Sequence, residues 1–364
     1  MRIAILGIRG VPANYGGFET FAEQVGTRLV DLGHDVTVYG RSHYVPRGVH
    51  TYRGMRIVRL PAPHSKYLET VVHSLFSAIH ALGGRYDVIY ICNSANVPSA
   101  IVLRAFGRRV VLNVDGLEWQ RAKWNRIGKS YYRLCAWLAA HLPIHIVTDA
   151  AVIQRHYLQA YGRITNLFPY GADLSPSADD GTLERLGLTP RSYILYVSRL
   201  EPENNAHVVI EAYGRLATDV PLLIVGDAPY ASEYIAGLHR AADPRVRFAG
   251  AIYGGGYRAL QSNAMAYIQA TEVGGTHPAL VEAMGYGNAI LANDVPEHRE
   301  TLGCAGRYYR GVADLTTKLA DLMQDEEALD VLRNAAHERA REHYSWDAVS
   351  EAYEAWFCRL VRGA

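Results

Sequence analysis

Cysteines are few in this sequence, and none lies near another. The 364 residues include four of them, with no CxxC pair. Disulfide scaffolds and zinc motifs both need cysteines at short spacings, so neither is expected. The segment HERAREH (337–343) also lacks the HExxH spacing of zinc enzymes. A reducing compartment is indicated by the wide separation of Cys92, Cys135, Cys304 and Cys358.

Net charge and long hydrophobic runs are lacking too. The formal net charge is +1, which argues against binding of nucleic acid over a broad surface and leaves room for local anion sites. No apolar run reaches transmembrane length. Gly7 and Arg9 interrupt the first apolar residues before a signal-peptide core can form. We therefore expect a cytoplasmic protein, at most peripheral to the inner face of the cell membrane.

The glycine motifs of common nucleotide sites are also absent. Gly7 and Gly10 do not fit the GxGxxG spacing, and the second strand-like run ends in VYGR without an acidic residue for a ribose. The GKS at 128–130 ends like a P-loop, but Lys123 occupies the position of the required earlier glycine. A dinucleotide enzyme is disfavoured, and no cofactor is expected.

The chain does have a regular alternation of two patterns. Short, mostly β-branched apolar runs alternate with segments of helical period, interrupted at 171–190 by a stretch rich in Gly, Pro, Ser and Asp. The predicted strands are 2–7, 35–40, 56–60, 86–92, 108–114, 144–148, 193–200, 221–227, 245–250, 264–270 and 288–294. The predicted helices are 18–32, 67–82, 97–106, 124–140, 150–160, 204–217, 230–241, 255–263, 278–286 and a helical tail, 311–361.

This alternation predicts an α/β protein with two domains. Strands that are apolar on both faces are typical of parallel sheets buried between helices, and repeated βα units build doubly wound sheets. We expect two Rossmann-like domains, 1–170 and 191–345, joined by a linker at 171–190 and facing an interdomain cleft. The final helix, 346–364, is predicted to return to the first domain. Ligands in such folds bind at the carboxyl ends of the strands.

The segment VPANYGGFETFAEQ (11–24) supplies the first candidate site. Gly16 and Gly17 precede a predicted helix, and the amides at a helix N-terminus favour an anion. The alternative is a plain turn between strand and helix. Tyr15 and Glu19 flank the glycines and are candidate contacts of an acceptor or a sugar.

Two segments of the second predicted domain suit a phosphate and a ribose. Arg199 lies at the end of that domain's first strand, where a guanidinium can clamp a phosphate unless it is an ordinary surface arginine. A turn before Pro278 would direct its amides at an anion. The carboxylate of Glu282 can accept hydrogen bonds from a ribose diol, and its apolar neighbours disfavour a merely solvated side chain. The turn consists of Gly274, Gly275, Thr276 and His277.

Residues 113–143 carry two further candidates. Asp115 follows a predicted strand and could contact the transferred sugar or deprotonate an acceptor hydroxyl, with an ordinary loop carboxylate as the alternative. Asp115 and Glu118 alone are weak support for a metal, and none is expected. The segment 119–143 mixes basic residues with Trp and Tyr, which suits an anionic membrane surface or simply an amphipathic helix with a solvated basic face. Trp119 is a candidate acceptor contact.

Longer motifs resemble a known family over nearly the whole chain. RLEPEN, VGD, VRFAG and LVEAMGYGNAILAND resemble the second-domain signature of family 4 retaining glycosyltransferases, which have the GT-B fold. GIRGVPANYGGFET, VDGLEWQRAKW, RLEPENN and GGTHPALVEAM resemble, more narrowly, the bacterial β-1,4-rhamnosyltransferase-like branch.

The resemblance implies roles for individual residues. The second domain would hold a nucleoside diphosphate sugar, with Glu282 on the ribose, Arg199 on the diphosphate and backbone groups near Gly250 on the base. The turn at Gly16 and Gly17 would close over the donor phosphates and the acceptor. Asp115 falls where many relatives carry a histidine near the donor sugar.

Two positions depart from the family pattern. The usual lysine that follows the arginine is replaced by Asn204, and the usual glutamate before Glu282 is replaced by Gly274. Asn204 is kept as a candidate donor contact. The amides of residues 275–277, or His277 itself, are candidates to offset the missing cation.

Together these features predict a metal-independent retaining glycosyltransferase. It would move rhamnose or another hexose from a nucleoside diphosphate sugar to a hydroxyl of a saccharide or lipid-linked acceptor, with possible peripheral membrane contact through 119–143 and no nucleic-acid partner. Stabilisation of charge on the leaving diphosphate would dominate, and the two domains would close on the donor. The alternatives are a nucleotide-sugar 2-epimerase and a non-catalytic nucleotide-sugar-binding protein.

Overall fold

The structure, a computed structural model, divides the chain into two compact units. It describes residues 1–13, 16–65, 68–177, 181–228 and 231–363. The first unit comprises Met1–Gln120, Trp124–Tyr170 and Trp346–Ala364, and the second comprises Arg121–Lys123 and Gly171–Ser345.

The first unit is built on a sheet of eight strands in the order β3-β4-β2-β1-β5-β6-β7-β8, parallel except for the β3–β4 pair. Its strands are β1 (Arg2–Leu6), β2 (Asp35–Arg41), β3 (Thr51–Tyr52), β4 (Met55–Leu60), β5 (Val88–Cys92), β6 (Val110–Asn113), β7 (His145–Thr148) and β8 (Asn166–Leu167). Its helices include α1 (Gly17–Asp31), α2 (Glu69–Leu82), α3 (Val97–Ala105), α4 (Arg126–His141) and α5 (Ala151–Tyr161).

Alternating side chains of the central strands fill two separate cores. Ile3 and Ile5 of β1 join the hydrophobic cluster that includes Phe21 and Val25 of α1. Ala4 joins the cluster on the opposite face with residues of α2 and α3. Since successive strand residues point to opposite faces, a strand that is apolar throughout must be covered on both sides. This pattern places the strand ends, rather than the strand faces, in reach of ligands.

The second unit has a parallel sheet of six strands in the order β11-β10-β9-β12-β13-β14. Its strands are β9 (Ile194–Val197), β10 (Leu222–Val225), β11 (Val246–Gly250), β12 (Ala266–Gln269), β13 (Ala289–Asn293) and β14 (Arg307–Tyr309). Its helices are α6 (Thr182–Arg185), α7 (Ala206–Gly214), α8 (Ser232–Ala241), α9 (Gly254–Asn263), α10 (Pro278–Gly285), α11 (Pro296–Leu302), α12 (Gly311–Met323) and α13 (Glu326–His343).

The last helix, α14 (Trp346–Arg362), packs into the first unit. Its buried side chains share a core with Ile3, Ile5 and Phe21. Tyr353 lies 3.0 Å from Tyr90 between hydroxyl oxygens and stacks on Phe168 with ring centroids 4.3 Å apart. The predicted fold class, two doubly wound parallel-sheet domains with a returning C-terminal helix, is thereby confirmed.

The structure differs from the predicted elements mainly in short segments. The strands β3, β8 and β14 and the helix α11 were not predicted. The stretch 171–190, predicted as a linker, contains α6, and Leu183 and Leu188 are buried in the core of the second unit. Strands of two or three residues and helices of four and seven residues, α6 and α11, are too short to show a clear period, so their absence from the prediction has a simple cause. None of the described helices combines the length and apolarity needed to cross a bilayer.

Candidate active site

Arg199 lies in the loop that follows β9, and the side chain of Asn204 is hydrogen-bonded to the backbone of that loop. The Arg199 side chain is about one third exposed, at 32%. The side-chain amide of Asn204, which is buried, donates a hydrogen bond of 2.7 Å to the carbonyl oxygen of Arg199. The Tyr196 hydroxyl donates to the Asn204 carbonyl oxygen at 2.7 Å. Asn204 therefore holds the backbone of the arginine, and its predicted direct contact with a donor stays a prediction that nothing in this geometry favours.

Three cations surround the carboxylate of Glu201 beside Arg199. Arg199 Nη1 lies 3.8 Å from Glu201 Oε2, and Arg121 Nη1 lies 3.9 Å from the same oxygen. Lys123 Nζ lies 3.6 Å from Glu201 Oε1. From the sequence, Arg121 and Lys123 are predicted only as part of a basic stretch, because nothing local in QRAKW indicates a partner some 80 residues away.

The turn before α10 holds a buried chain of hydrogen-bonding groups. Thr271 Oγ1 lies 3.2 Å from His277 Nε2 and 3.2 Å from His298 Nε2. Burial lowers the pKa of His277 well below its usual value, and His298, Arg121 and Arg199 lower it further. His277 is therefore neutral at physiological pH. The expectation that its charge offsets the missing lysine stays a prediction, and this shift of the pKa does not favour it.

A side chain at position 274 would collide with the same imidazole. A Cβ at this position would lie 2.6 Å from His277 Cε1, closer than real carbon atoms approach. His277 thus occupies the space into which a glutamate at 274 would extend. Gly275 and Thr276 are buried in the turn that leads into Pro278, the first residue of α10. These residues lie where a helix N-terminus presents its free amides.

Glu282 lies on α10 beside α9. Its carboxylate accepts a hydrogen bond of 2.5 Å from the Tyr257 hydroxyl, which in turn accepts one of 3.0 Å from Gln261. Burial raises the pKa of Glu282 to about 7, with a smaller contribution from the charge of Asp173. Near neutral pH this carboxyl group is therefore poised between its protonated and ionised forms.

Gly250 ends β11 with a left-handed φ of +66°, and a Cβ there would meet open space. It is a position that favours glycine because of its backbone rather than its surroundings. Arg199 follows β9, Gly250 ends β11, and the turn 274–277 and Glu282 follow β12 in the parallel six-stranded sheet. The second unit therefore gathers these predicted residues at the carboxyl ends of its strands.

In the first unit, the β1–α1 loop is held by Glu19. Gly16 is the N-cap of α1 with an extended backbone, and Gly17 is the first residue of the helix. The Glu19 carboxylate is buried and accepts a hydrogen bond of 2.8 Å from the backbone N–H of Arg9. Burial raises its pKa. Glu19 thus has a loop-holding role besides its predicted acceptor contact, and Tyr15 lies outside the described residues.

Asp115 lies just after the carboxyl end of β6. It has a left-handed φ of +57°, and its N–H donates to Asn113 Oδ1 at 2.9 Å. Burial raises the pKa of Cys92, the last residue of β5, and the charges of Glu19 and Asp115 raise it further. Both carboxylates therefore lie within electrostatic reach of the carboxyl end of β5.

Trp119 and Glu118 pack against residues of the α4 side and of the 119–124 loop. The Trp119 ring packs against the core on the α4 side, with its centroid 5.6 Å from that of His156. Glu118 is buried and accepts a hydrogen bond of 3.2 Å from Trp124 Nε1. Within the described ranges, no group of three or more His, Cys, Asp or Glu side chains is placed to hold a metal ion.

A polar cluster at the end of β2 was missed by the sequence analysis. Arg41 Nη1 lies 3.0 Å from Glu69 Oε2, and His43 Nε2 lies 2.5 Å from Glu69 Oε1. Although burial acts to raise it, the pKa of Glu69 is lowered by Arg41 and by the hydrogen bond from His43. The guanidinium of Arg9 lies over the Tyr44 ring at 4.4 Å. Only the folding of β2 against α2 brings these side chains together.

Two family models match the chain. A model described as glycosyl transferase 4-like domain matches residues 16–171. A model described as glycosyl transferases group 1 matches residues 191–325. Their boundaries lie close to those of the two units, and together they account for roughly four fifths of the chain.

Individual proteins are similar over different lengths. A GDP-mannose-dependent α-(1-6)-phosphatidylinositol monomannoside mannosyltransferase of Mycolicibacterium smegmatis is 28% identical over 246 residues, which are 60% of this chain and 59% of that protein. The match thus spans less than two thirds of the mannosyltransferase.

Solved structures match the fold over the full length. A sucrose-phosphate synthase from Thermosynechococcus elongatus superposes with a TM-score of 0.84 at 19% identity, covering 100% of both chains. HepE from Anabaena, in complex with UDP-glucose, superposes with a TM-score of 0.79 at 17% identity, also covering 100% of both. With its two matched domains and this fold, the chain belongs to the family 4 glycosyltransferases of the GT-B class.

Proposed function

We propose that this glycosyltransferase moves a hexose, rhamnose or another, from a nucleoside diphosphate sugar to a hydroxyl of a saccharide or lipid-linked acceptor, with retention at the anomeric carbon. The observation that carries the proposal is the gathering of Arg199, the turn 274–277 and Glu282 at the strand ends of the second unit. The similar mannosyltransferase is GDP-mannose-dependent, and HepE is described in complex with UDP-glucose. Both descriptions support a nucleotide-sugar donor here.

Each of these groups has a role in holding the donor. The Glu282 carboxylate accepts hydrogen bonds from the ribose hydroxyls, and the backbone near Gly250 contacts the base. Arg199 and the amides at the start of α10 bind the diphosphate, because a guanidinium and a helix N-terminus both favour phosphate. The turn at Gly16 and Gly17 closes over the donor phosphates.

The reaction breaks the bond between the sugar C1 and the diphosphate oxygen and forms one from C1 to the acceptor oxygen. The acceptor proton passes to an oxygen of the leaving diphosphate. Negative charge grows on that diphosphate in the transition state, where preorganised amides and Arg199 stabilise it. The proposal assigns this charge to the protein's own groups, so it requires no metal ion.

The acceptor binds to the first unit in this proposal. Asp115 and Glu19 lie at the same edge of the sheet and suit sugar hydroxyls, whereas Trp119, which packs against the core, is the weaker candidate. Tyr15 completes the proposed set of acceptor contacts. A lipid-linked acceptor would bring the protein to the cytoplasmic face of a membrane through α4.

Loss of donor contacts tests the proposal. Arg199→Ala is expected to lower turnover on the order of 10²- to 10³-fold, the usual effect of removing a group that stabilises transition-state charge. Glu282→Ala is expected to lower turnover by weakening the binding of the donor through its ribose. Donor and base are first identified by thermal shift with UDP-, dTDP- and GDP-sugars, because a bound ligand raises the melting temperature. Turnover is then followed as release of nucleoside diphosphate in EDTA.

The exposed Arg240→Ala on α8 is the matched control and should keep full activity. Near-normal turnover in both site variants would refute the site assignment, and strict loss of activity in EDTA would refute metal independence. Epimerised donor formed without acceptor would favour a 2-epimerase. Donor binding without turnover of any acceptor would favour a non-catalytic binding protein.

A further inference from the structure

We infer that Lys123 and Arg121 provide the positive charge at the donor diphosphate that the chain lacks at position 204. This inference rests on the proposed function, since it concerns the same donor. It assigns a binding role to two residues that precede the second unit in the chain yet pack within it.

Position 204 has no means of meeting the diphosphate as a cation. Its asparagine is neutral, buried, and bonded through its amide to the carbonyl oxygen of Arg199. His277 does not replace the missing charge either, because burial keeps its imidazole neutral. Another source of positive charge is therefore needed beside Arg199.

The cluster around Glu201 has that charge. Three cations, Arg199, Arg121 and Lys123, lie between 3.6 and 3.9 Å from one carboxylate. These four side chains together carry a net charge of +2. Arg121 and Lys123 are only 9% and 17% exposed, so water screens their mutual repulsion poorly. A diphosphate, with two or more negative charges, matches this excess.

Glu201 gathers the three cations in one place. Each of them lies within 3.9 Å of its carboxylate, so the two guanidinium groups and the ammonium group are held beside one another. A phosphate that reaches Arg199 would therefore also meet the positive charge of Arg121 and Lys123.

The cations also lie on the correct side of α10. Arg121 and Arg199 both contribute to the low pKa of His277, which shows that their positive potential reaches the residue that caps this helix. The helix N-terminus adds partial positive charge at the same place. An anion held there would lie beside the amides and within the positive potential of Arg121 and Arg199.

The test compares ligands with and without the diphosphate. Binding of UDP, GDP and dTDP to the full-length protein is measured by calorimetry, and the best of them is compared with its own nucleoside. Lys123→Met is expected to weaken nucleoside diphosphate binding roughly 10- to 100-fold, the usual range for a lost hydrogen bond between charged groups. Binding of the nucleoside should change less than twofold.

Two further variants separate binding from folding. Lys123→Arg keeps the charge and should retain most of the affinity, and the exposed Arg240→Met should bind as the unaltered protein does. Arg121→Met is expected to weaken diphosphate binding as well. If that variant fails to fold because Arg121 is buried, the Lys123 pair of variants still decides the question.

The outcomes distinguish the two levels of proposal. If the unaltered protein binds none of the three nucleoside diphosphates, the proposed function fails. If it binds one of them and Lys123→Met binds that ligand equally well, the inference is overturned while the proposed function stands. Equal weakening of nucleoside and nucleoside diphosphate would indicate a structural role, which also overturns the inference.

Discussion

Glu282 combines a carboxyl group with surroundings that oppose its charge. Burial raises its pKa to about 7, while the hydrogen bond from Tyr257 acts in the opposite direction. A carboxylate accepts two hydrogen bonds from a ribose diol, but the protonated acid has one acceptor oxygen fewer for this purpose. The protonation state of one residue therefore couples donor affinity to pH near neutrality.

We predict that nucleoside affinity rises with pH between about 6 and 8. Below its pKa of about 7 the Glu282 carboxyl is mostly protonated, and above it the ionised form that binds ribose predominates. One pH unit below the pKa only about a tenth of the groups are ionised, so affinity should fall several-fold. Calorimetric titration with the preferred nucleoside across this range measures the midpoint.

Tyr257→Phe provides the matched variant for this pH dependence. It removes the hydrogen bond that favours the ionised carboxylate, so the midpoint should move to higher pH. Glu282→Gln should abolish the pH dependence. A flat profile in the unaltered protein would contradict the assignment of Glu282 to the ribose.

Single residues also show how far sequence reasoning reaches. The replacement of lysine by Asn204 and of glutamate by Gly274 is visible in the sequence alone. Their consequences are not, because they depend on side-chain placement: the imidazole of His277 fills the space beside Gly274, and the Asn204 amide turns to a backbone carbonyl. Arg121 and Lys123 meet Glu201 only after folding, so local sequence could not reveal them.

At the scale of elements, the exposed face of α4 combines apolar and basic side chains. Ile127, Leu134 and Trp137 are 79%, 52% and 49% exposed, and Arg126 and Arg133 are exposed with them. The opposite face is buried through residues such as Tyr132 and Cys135. An exposed face of this composition suits the interface of a membrane with anionic lipid.

We predict that the protein co-sediments with vesicles of phosphatidylcholine and phosphatidylglycerol at low salt. Its binding should weaken when phosphatidylglycerol is omitted or salt is raised, since part of the attraction is electrostatic. Replacing Ile127 and Trp137 together by serine should remove most of the binding. Val331→Ser, at a 60% exposed apolar position on α13, is the control and should bind normally. Protein that stays in the supernatant with anionic vesicles would contradict the prediction.

Long helices and strands are predicted from the sequence more accurately than short ones. Long strands and helices carry enough residues to show period 2 or 3.6, so the sequence placed most of them within a few residues. Predicted strands extend beyond the observed ones, as at 193–200 against β9 (Ile194–Val197), because the apolar run continues into the loop that carries Arg199. Burial pattern alone does not mark where pairing stops.

At the scale of the whole molecule, the first unit depends on both ends of the chain. Its core is assembled from β1 at the N-terminus and α14 at the C-terminus. The amphipathic pattern of the tail predicted this return, since a helix with an apolar stripe must bury it somewhere. A consequence is that changes in α14 act on the first unit, although the second unit directly precedes this helix in the chain.

We predict that Phe357→Ala destabilises the first unit by about 3–5 kcal/mol, the usual cost of truncating a buried phenylalanine. Phe357 is 2% exposed and lies in the core with Tyr353 and Trp356. The neighbouring Arg359 is exposed, so Arg359→Ala should change the free energy of unfolding by less than about 0.5 kcal/mol. All five tryptophans, Trp119, Trp124, Trp137, Trp346 and Trp356, belong to the first unit, so their fluorescence during urea unfolding reports on that unit alone. A fluorescence transition unchanged by Phe357→Ala would show that α14 does not stabilise the unit that contains it.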